Sequence, residues 1–201
     1  DHGKYSEALD AIENGFSSVM FDGSSLPIAE NIEKTMEVVR LAHAKGISVE
    51  AEVGGIGGEE DGRISRGECA DPNQCRMIAD LGIDFLAAGI GNIHGKYPAN
   101  WTGLNFDRLK ELADAIDTPL VLHGGSGNPD DEIAEAVKRG ISKINISSDL
   151  KNAYFMKVRE VLENKKLLEP NKIEPACIDA ACEVVVHKIR LFNADNKADL
   201  Y

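Results

Sequence analysis

The sequence predicts a (β/α)8 (TIM) barrel that is N-terminally incomplete, with about five full strands plus the loop ending a sixth. Three observations predict it. Helical stretches closed by glycine alternate with short apolar runs along the whole chain, the grammar of parallel βαβ units with right-handed crossovers. Every chemistry-bearing loop follows a strand, where such barrels place their sites. The chain has 201 residues, whereas a closed eight-stranded barrel typically takes about 250.

The elements follow in order. Asp1-His2-Gly3 reads as the end of a strand. Glu7–Asn14 is a helix closed by Gly15, and the strand at 18–22 follows. The longer helical pattern Ile28–Lys45, closed by Gly46, leads into the strand at 47–53. Gly54–Gly62 reads as a loop. Pro72–Leu81 and Gly82 precede the strand at 84–90, and Phe106–Ile116 leads through Thr118-Pro119 into the strand at 119–123. Pro129–Arg139 and Gly140 introduce the strand at 142–146. Glycine just past a helix supplies a left-handed cap, and a buried parallel strand reads as a short apolar run. A further helix starts near Leu150, and Ile173–Phe192 is helical. Residues 1–201 form one domain, with 170–201 a helical extension packing outside the barrel. The competing architecture is an open doubly wound sheet, which also binds ligands at strand C-termini. An unclosed sheet exposes apolar strand edges, so the isolated chain is expected to be poorly soluble without an upstream segment.

With 43% hydrophobic residues the chain can bury a sizeable core, and no apolar run approaches the roughly 20 residues that span a bilayer. The net charge of −12 argues against nucleic acid and acidic membranes, which demand clustered positive charge. An anionic metabolite must then be held by local amides, hydroxyls or a bound cation. Cys69, Cys75, Cys177 and Cys182 lack Cys-x-x-Cys spacing, which favours reduced thiols over a disulfide framework. No charged-then-apolar leader is visible, and the expected location is cytoplasmic.

His2, His94 and His123 each lie where a strand-like run gives way to glycine. Three imidazoles from separate strands suit a catalytic zinc with an open fourth position. Asp1, beside His2, could move a proton at that centre, although Asp-His alone better fits a helix N-cap with an incidental histidine. Gly124-Gly125-Ser126-Gly127 precedes a helix and suits a phosphate nest. Asn145-Ile146-Ser147-Ser148-Asp149 can both cap the next helix and meet an anion. Glu50 and Glu52 project to one face of their strand, which is costly unless cations or hydrogen bonds compensate. The acidic, glycine-hinged segment Gly57–Gly62 could carry an acid or base over the site as a lid. His43 and His187 sit inside helical patterns and receive no role.

Together these segments resemble the class II, zinc-dependent ketose-bisphosphate aldolases, especially the tagatose/fructose-bisphosphate branch. The matching pieces are Asp1-His2-Gly3, Ser18–Ser24, Val49–Gly54, Gly57–Asp61, Gly91–Gly95, Leu120–Gly127 and Lys143–Ile146. The resemblance implies zinc held by His2, His94 and His123. It implies Asp1 as the acid/base on the C4 hydroxyl and Glu60 as the loop glutamate assisting proton transfer. Gly95, Gly124, Gly125 and Ser126 would bind the dihydroxyacetone phosphate moiety, completed by Asn145, Ile146, Ser147 and Ser148, with a monovalent cation (Na+ or K+) alongside. Asp22 and Glu52 match carboxylates near the metal. The implied reaction is a reversible retro-aldol cleavage, zinc replacing the Schiff-base lysine of the other aldolase class. The expected partner is a small sugar phosphate, and the expected assembly is a homo-oligomer, dimer or tetramer.

Two departures shift the expected substrate. Fructose-specific members usually carry Asp where this chain has Ser147, and often Arg where Lys151 stands, so a tagatose-like or other ketose 1-phosphate gains weight. The family's lysine after His-Gly-x-Tyr is replaced by Pro98 in His94-Gly95-Lys96-Tyr97-Pro98. The alternative from another class is a non-catalytic sugar-phosphate-binding homologue or partner subunit.

Overall fold

A computed structural model describes residues 1–60, 63–65, 67–95 and 97–200, without the side chains of 59, 60 and 63–65. Five parallel strands form its central sheet: β1 (Ser18–Phe21), β2 (Ser48–Val53), β5 (Phe85–Ala88), β7 (Leu120–Leu122) and β8 (Ile141–Ile144), in that spatial order. Neighbours in sequence are therefore neighbours in the sheet, as in a sector of a barrel wall. The described strands do not close into a barrel. A single parallel bridge, Gly3 to Phe21, marks where the sixth expected strand end lies beside β1.

Helices α1 (Tyr5–Glu13), α2 (Ile28–His43), α3 (Pro72–Ala79), α4 (Phe106–Ala115) and α5 (Asp130–Lys138) connect these strands and cover one face. Local chemistry fixes their ends. Asp71 accepts the N–H groups of Asn73 and Gln74 at 3.0 Å each ahead of Pro72, satisfying donors that the first turn leaves orphaned. Gly46 and Gly82, at φ +70° and +83°, turn the chain out of α2 and α3 in a conformation that costs glycine little.

Strand alternation sorts the sheet into two faces. Val19, Phe21, Val49, Ala51, Val53, Leu86, Ala88, Leu120 and Leu122 belong to the main core with Val38, Ile78, Leu109, Leu112 and Ile133 from the helices. Met20, Ala87 and Val121 form a small separate cluster. The pairing register carries Glu52 beside Ala87, Ala87 beside Val121 and Val121 beside Lys143. That second face is the charged one.

Two expectations are corrected. Gly54–Gly62 is not simply a loop: β3 (Gly57–Glu60) pairs antiparallel with β4 (Arg63–Ser65) and parallel with β6 (Ile93–His94). Glycine and glutamate have poor strand propensity, so no local pattern announced this non-local pairing. The strand expected at 84–90 stops at Ala88, because Gly91 at φ +88° turns the chain towards β6. Helix α6 (Ser148–Val161) follows β8, and the tail forms α7 (Pro170–Leu191), which packs on α6 and α5. The four cysteines are free, and among the described residues no helix is long and apolar enough to cross a membrane.

Leu86, fully buried on the central strand, tests this core. Leu86→Ala is expected to lower the urea-unfolding free energy by about 2–5 kcal/mol. Truncating exposed Met36 to alanine should change it by no more than about 0.5 kcal/mol. Equal effects would contradict the assigned packing.

Candidate active site at the strand ends

The structure brings the three predicted histidines together from three segments. His2 comes from the bridge beside β1, His94 ends β6 and His123 follows β7. One ligand atom from each lies within 4.8 Å of the others. The rings of His2 and His94 meet edge-on with centroids 4.8 Å apart, and those of His2 and His123 lie 4.3 Å apart. His2 is held at φ +47°, a conformation disfavoured for a side chain with a Cβ and characteristic of functional sites. Its N–H donates to the Met20 sulfur at 3.0 Å.

Carboxylates orient two of the rings. His2 Nδ1 lies 3.4 Å from Asp22 and 3.3 Å from Glu52. His123 Nε2 lies 2.7 Å from Glu50 Oε1, and Lys143 Nζ donates to Glu50 Oε2 at 2.6 Å. These carboxylates sit deep, Glu50 at 3% and Glu52 at 1% exposure. Asn92, also buried, accepts the Ile90 N–H at 2.8 Å and donates to the His123 carbonyl at 2.9 Å. The expected same-face carboxylate pair is thus real, and its compensation comes from imidazoles and a lysine.

The titration behaviour follows from these contacts. Burial alone would depress His2, but hydrogen bonds to Asp22 and Glu52 outweigh it and raise the imidazole to about 9. Burial would raise Asp22, yet hydrogen bonds from His2 and Ser24 bring it down to about 2. Glu52 is pushed above the ordinary carboxylate range by burial, despite its bond to His2. Asp22 therefore carries the charge that partners His2. Burial raises Glu50, but His123 and Lys143 more than reverse it, holding the carboxylate ionised. Burial, with His2 and His123 nearby, lowers His94 to about 4, so it is neutral at pH 7.

This donor set fits a zinc-like cation. A metal-binding histidine characteristically gives its second ring nitrogen to a carboxylate. With His2 Nδ1 and His123 Nε2 engaged that way, a metal would take His2 through Nε2, His123 through Nδ1, and His94 as a neutral imidazole. Two further groups could hold a cation: Asp1, Glu50 and His123, and His2, Asp22 and Glu52.

Asp1 stands at the rim, its side chain 53% exposed and its Oδ1 3.6 Å from His123 Nδ1. Asn145 Nδ2 donates to Asp1 Oδ2 at 3.1 Å. A cavity of about 330 Å³ opens beside it, lined by Asp1, His94, Gly95, His123, Gly124, Ser126, Lys143 and the run Ile144–Ser148. Every predicted phosphate-side residue lines it except Gly125. The Gly125 N–H is committed to the Asn145 carbonyl at 3.2 Å, and an added Cβ would meet Ile144 at 2.5 Å. Gly125 thus serves close packing against β8. The Ser126 hydroxyl oxygen accepts the N–H groups of Ser147 at 3.0 Å and Asp149 at 3.3 Å. Its single hydrogen is left as the donor it can offer an anion. The side chain of Glu60, the expected loop acid/base, lies outside the described residues.

Sequence reasoning passed over Glu50, Lys143 and Asn92 as partners of the histidines. The even spacing of Glu50 and Glu52 was the available signal, while Lys143 read only as part of a strand. His43 and His187 pair with Asp84 and Asp130 at 2.9 and 2.8 Å, away from the cluster.

Parallel strands that deliver imidazoles and a rim carboxylate at their C-terminal ends are the arrangement that barrel enzymes use. More particularly, the chain belongs to the family described as Fructose-bisphosphate aldolase class-II, whose family model matches residues 1–197. The fructose-bisphosphate aldolase of Streptococcus pyogenes is 50% identical over 209 residues, covering 98% of this chain and 71% of that one. The fructose-bisphosphate aldolase of Mycoplasma pneumoniae is 45% identical over 205 residues, with the same coverage of 98% and 71%. Among solved structures, the YdjI aldolase from Escherichia coli superposes with a TM-score of 0.83 at 36% identity, covering 98% of this chain and 69% of that one. The fold class is accordingly the TIM barrel, of which five wall strands are described here.

Because His2 is raised from 6.5 to about 9, its charged pairing with Asp22 stabilises the metal-free protein fully below pH 6.5. That contribution is lost as pH rises through 9. Thermal unfolding of the metal-free protein should therefore show a falling midpoint across this window, and His2→Gln should flatten the fall. A His2→Gln profile parallel to the parent's would contradict the assignment.

Proposed function

We propose that this chain carries out the zinc-dependent, reversible aldol cleavage of a ketose 1,6-bisphosphate, tagatose- or fructose-type. The products are dihydroxyacetone phosphate and an aldehyde such as glyceraldehyde 3-phosphate. One observation carries the reading: Asp1 stands on the rim shared by the imidazole cluster and the glycine-serine cavity, within reach of His123 and Asn145. Family membership supports it.

His2, His94 and His123 would hold the zinc, which would supply Lewis-acid polarisation of the ketose carbonyl and stabilisation of developing negative charge. Asp1 removes the C4 hydroxyl proton, its exposed carboxylate reaching substrate while Asn145 keeps it oriented. Gly95, Gly124, Ser126 and Asn145 to Ser148 bind the phosphate end with backbone groups and hydroxyls, and Na+ or K+ beside them would offset the chain's acidic field. Lys143, at the same cavity, spends its charge on Glu50 and keeps His123 aimed. Asp22 and Glu52 orient His2. Glu60 is assigned the second proton transfer by resemblance.

The substrate is read from two sides. The relatives named above are fructose-bisphosphate aldolases, whereas Ser147 and Lys151 depart from the fructose-specific pattern. Both epimers are therefore the first substrates to compare, and a different ketose 1-phosphate follows if neither is cleaved.

Dihydroxyacetone phosphate release from tagatose and fructose 1,6-bisphosphates is the direct assay. EDTA should abolish release and zinc should restore it. Asp1→Ala should lower kcat by about 10²–10⁴-fold, the usual worth of a positioned acid/base, with zinc content unchanged. Full turnover by Asp1→Ala would sink the assignment.

A further inference from the structure

One side chain outside the histidine cluster and its cavity is bonded to the backbone beside two of the three histidines. The Tyr97 phenol oxygen accepts the Ile93 N–H at 2.9 Å and the Asn128 Nδ2 at 2.7 Å, and donates to the Gly124 carbonyl at 2.8 Å. Ile93 immediately precedes His94, and Gly124 immediately follows His123. One hydroxyl thus ties together the two backbones that deliver these rings.

The tie is saturated. A hydroxyl donates one hydrogen and accepts two, and all three places are used within the protein. It is also held from behind: Tyr97 meets Trp101 edge-on with centroids 4.5 Å apart, and Trp101 Nε1 donates to the Gly91 carbonyl at 2.8 Å. Asn128, itself buried, adds a second bond to the Gly124 carbonyl at 2.9 Å. The strapped segments already run close together, since a Cβ on Gly124 would collide with the Ile93 carbonyl. β6 is only two residues long, so its own ladder contributes little to fixing His94. The phenol supplies what the short strand lacks.

We propose that Tyr97 is a positioning residue whose hydroxyl sets the spacing of His94 relative to His123 and thereby the affinity of the metal site. This rests on the three-histidine reading of that site. Tyr97→Phe keeps the ring against Trp101, but strips the Ile93 N–H of its acceptor, leaves Asn128 Nδ2 only the Gly124 carbonyl, and takes the phenol donor from that carbonyl.

Zinc affinity measured by chelator competition, with no substrate present, tests the proposal. Tyr97→Phe is expected to bind zinc about 10–100-fold more weakly, the range for lost partners that orient metal ligands. Leu112→Ala, which opens a hole in the helical core away from the tie, serves as the stability control and should keep wild-type affinity. Wild-type affinity in Tyr97→Phe, or an equal loss in Leu112→Ala, overturns the proposal. Should the wild-type protein bind no stoichiometric zinc, the metal reading fails separately. The His94 and His123 ring resonances of the metal-free protein then decide on Tyr97: displacement in Tyr97→Phe but not in Leu112→Ala supports the positioning role, and unmoved resonances overturn it.

Discussion

Two carboxylates buried on one face of β2 constrain everything around them. Glu50 and Glu52 are nearly inaccessible, and an unpartnered charge there would cost several kcal/mol. Each must therefore be met by a proton or a cation from another element. Glu50 is met by His123 from beyond β7 and Lys143 from β8; Glu52 is met by His2. Satisfying that electrostatic demand turns the remaining nitrogens of His2 and His123 towards a common region, where β6 adds a neutral His94. The site's geometry is thus a consequence of how the sheet accommodates its buried charge.

The two sides of the site are built differently. The imidazole side rests on strands and buried side-chain pairs. The cavity side rests on backbone and short polar groups, with Ser126 accepting two amide hydrogens and Gly127 N–H bonded to Asp149 at 3.0 Å. Helix α7 contributes as well. Its nearly buried Lys188 lies 3.1 Å from Asp149, so the C-terminal extension is tied through Asp149 to the Gly124–Gly127 segment beside the cavity. This gives the tail a structural connection to the site that packing on an outer face alone would not.

Most of the central fold was legible because its signals are local. Apolar runs and glycines after helices depend on neighbours in sequence, and five strands and the helices between them lie within a few residues of the expected bounds. The parity of Glu50 and Glu52 likewise announced a shared face. What stayed hidden depends on contacts across many residues. Nothing near Gly57–Glu60 announces pairing with Ile93–His94, because the first is rich in glycine and glutamate and the second is only two residues long. Glu50 and Lys143 are 93 positions apart, and the bond between Tyr97 and Gly124 spans 27. Gly125 illustrates the same limit: a glycine in a nest motif and a glycine packed against a strand look alike until the strand is in place.

In the proposed site His2, His94 and His123 bind one metal ion together. X-ray absorption at the zinc edge of the zinc-loaded protein tests it most directly. One zinc per chain is expected, surrounded by three imidazole nitrogens at roughly 2.0–2.1 Å, with one nitrogen lost in His94→Ala. Sulfur scattering, or a first coordination sphere unchanged in His94→Ala, would contradict it.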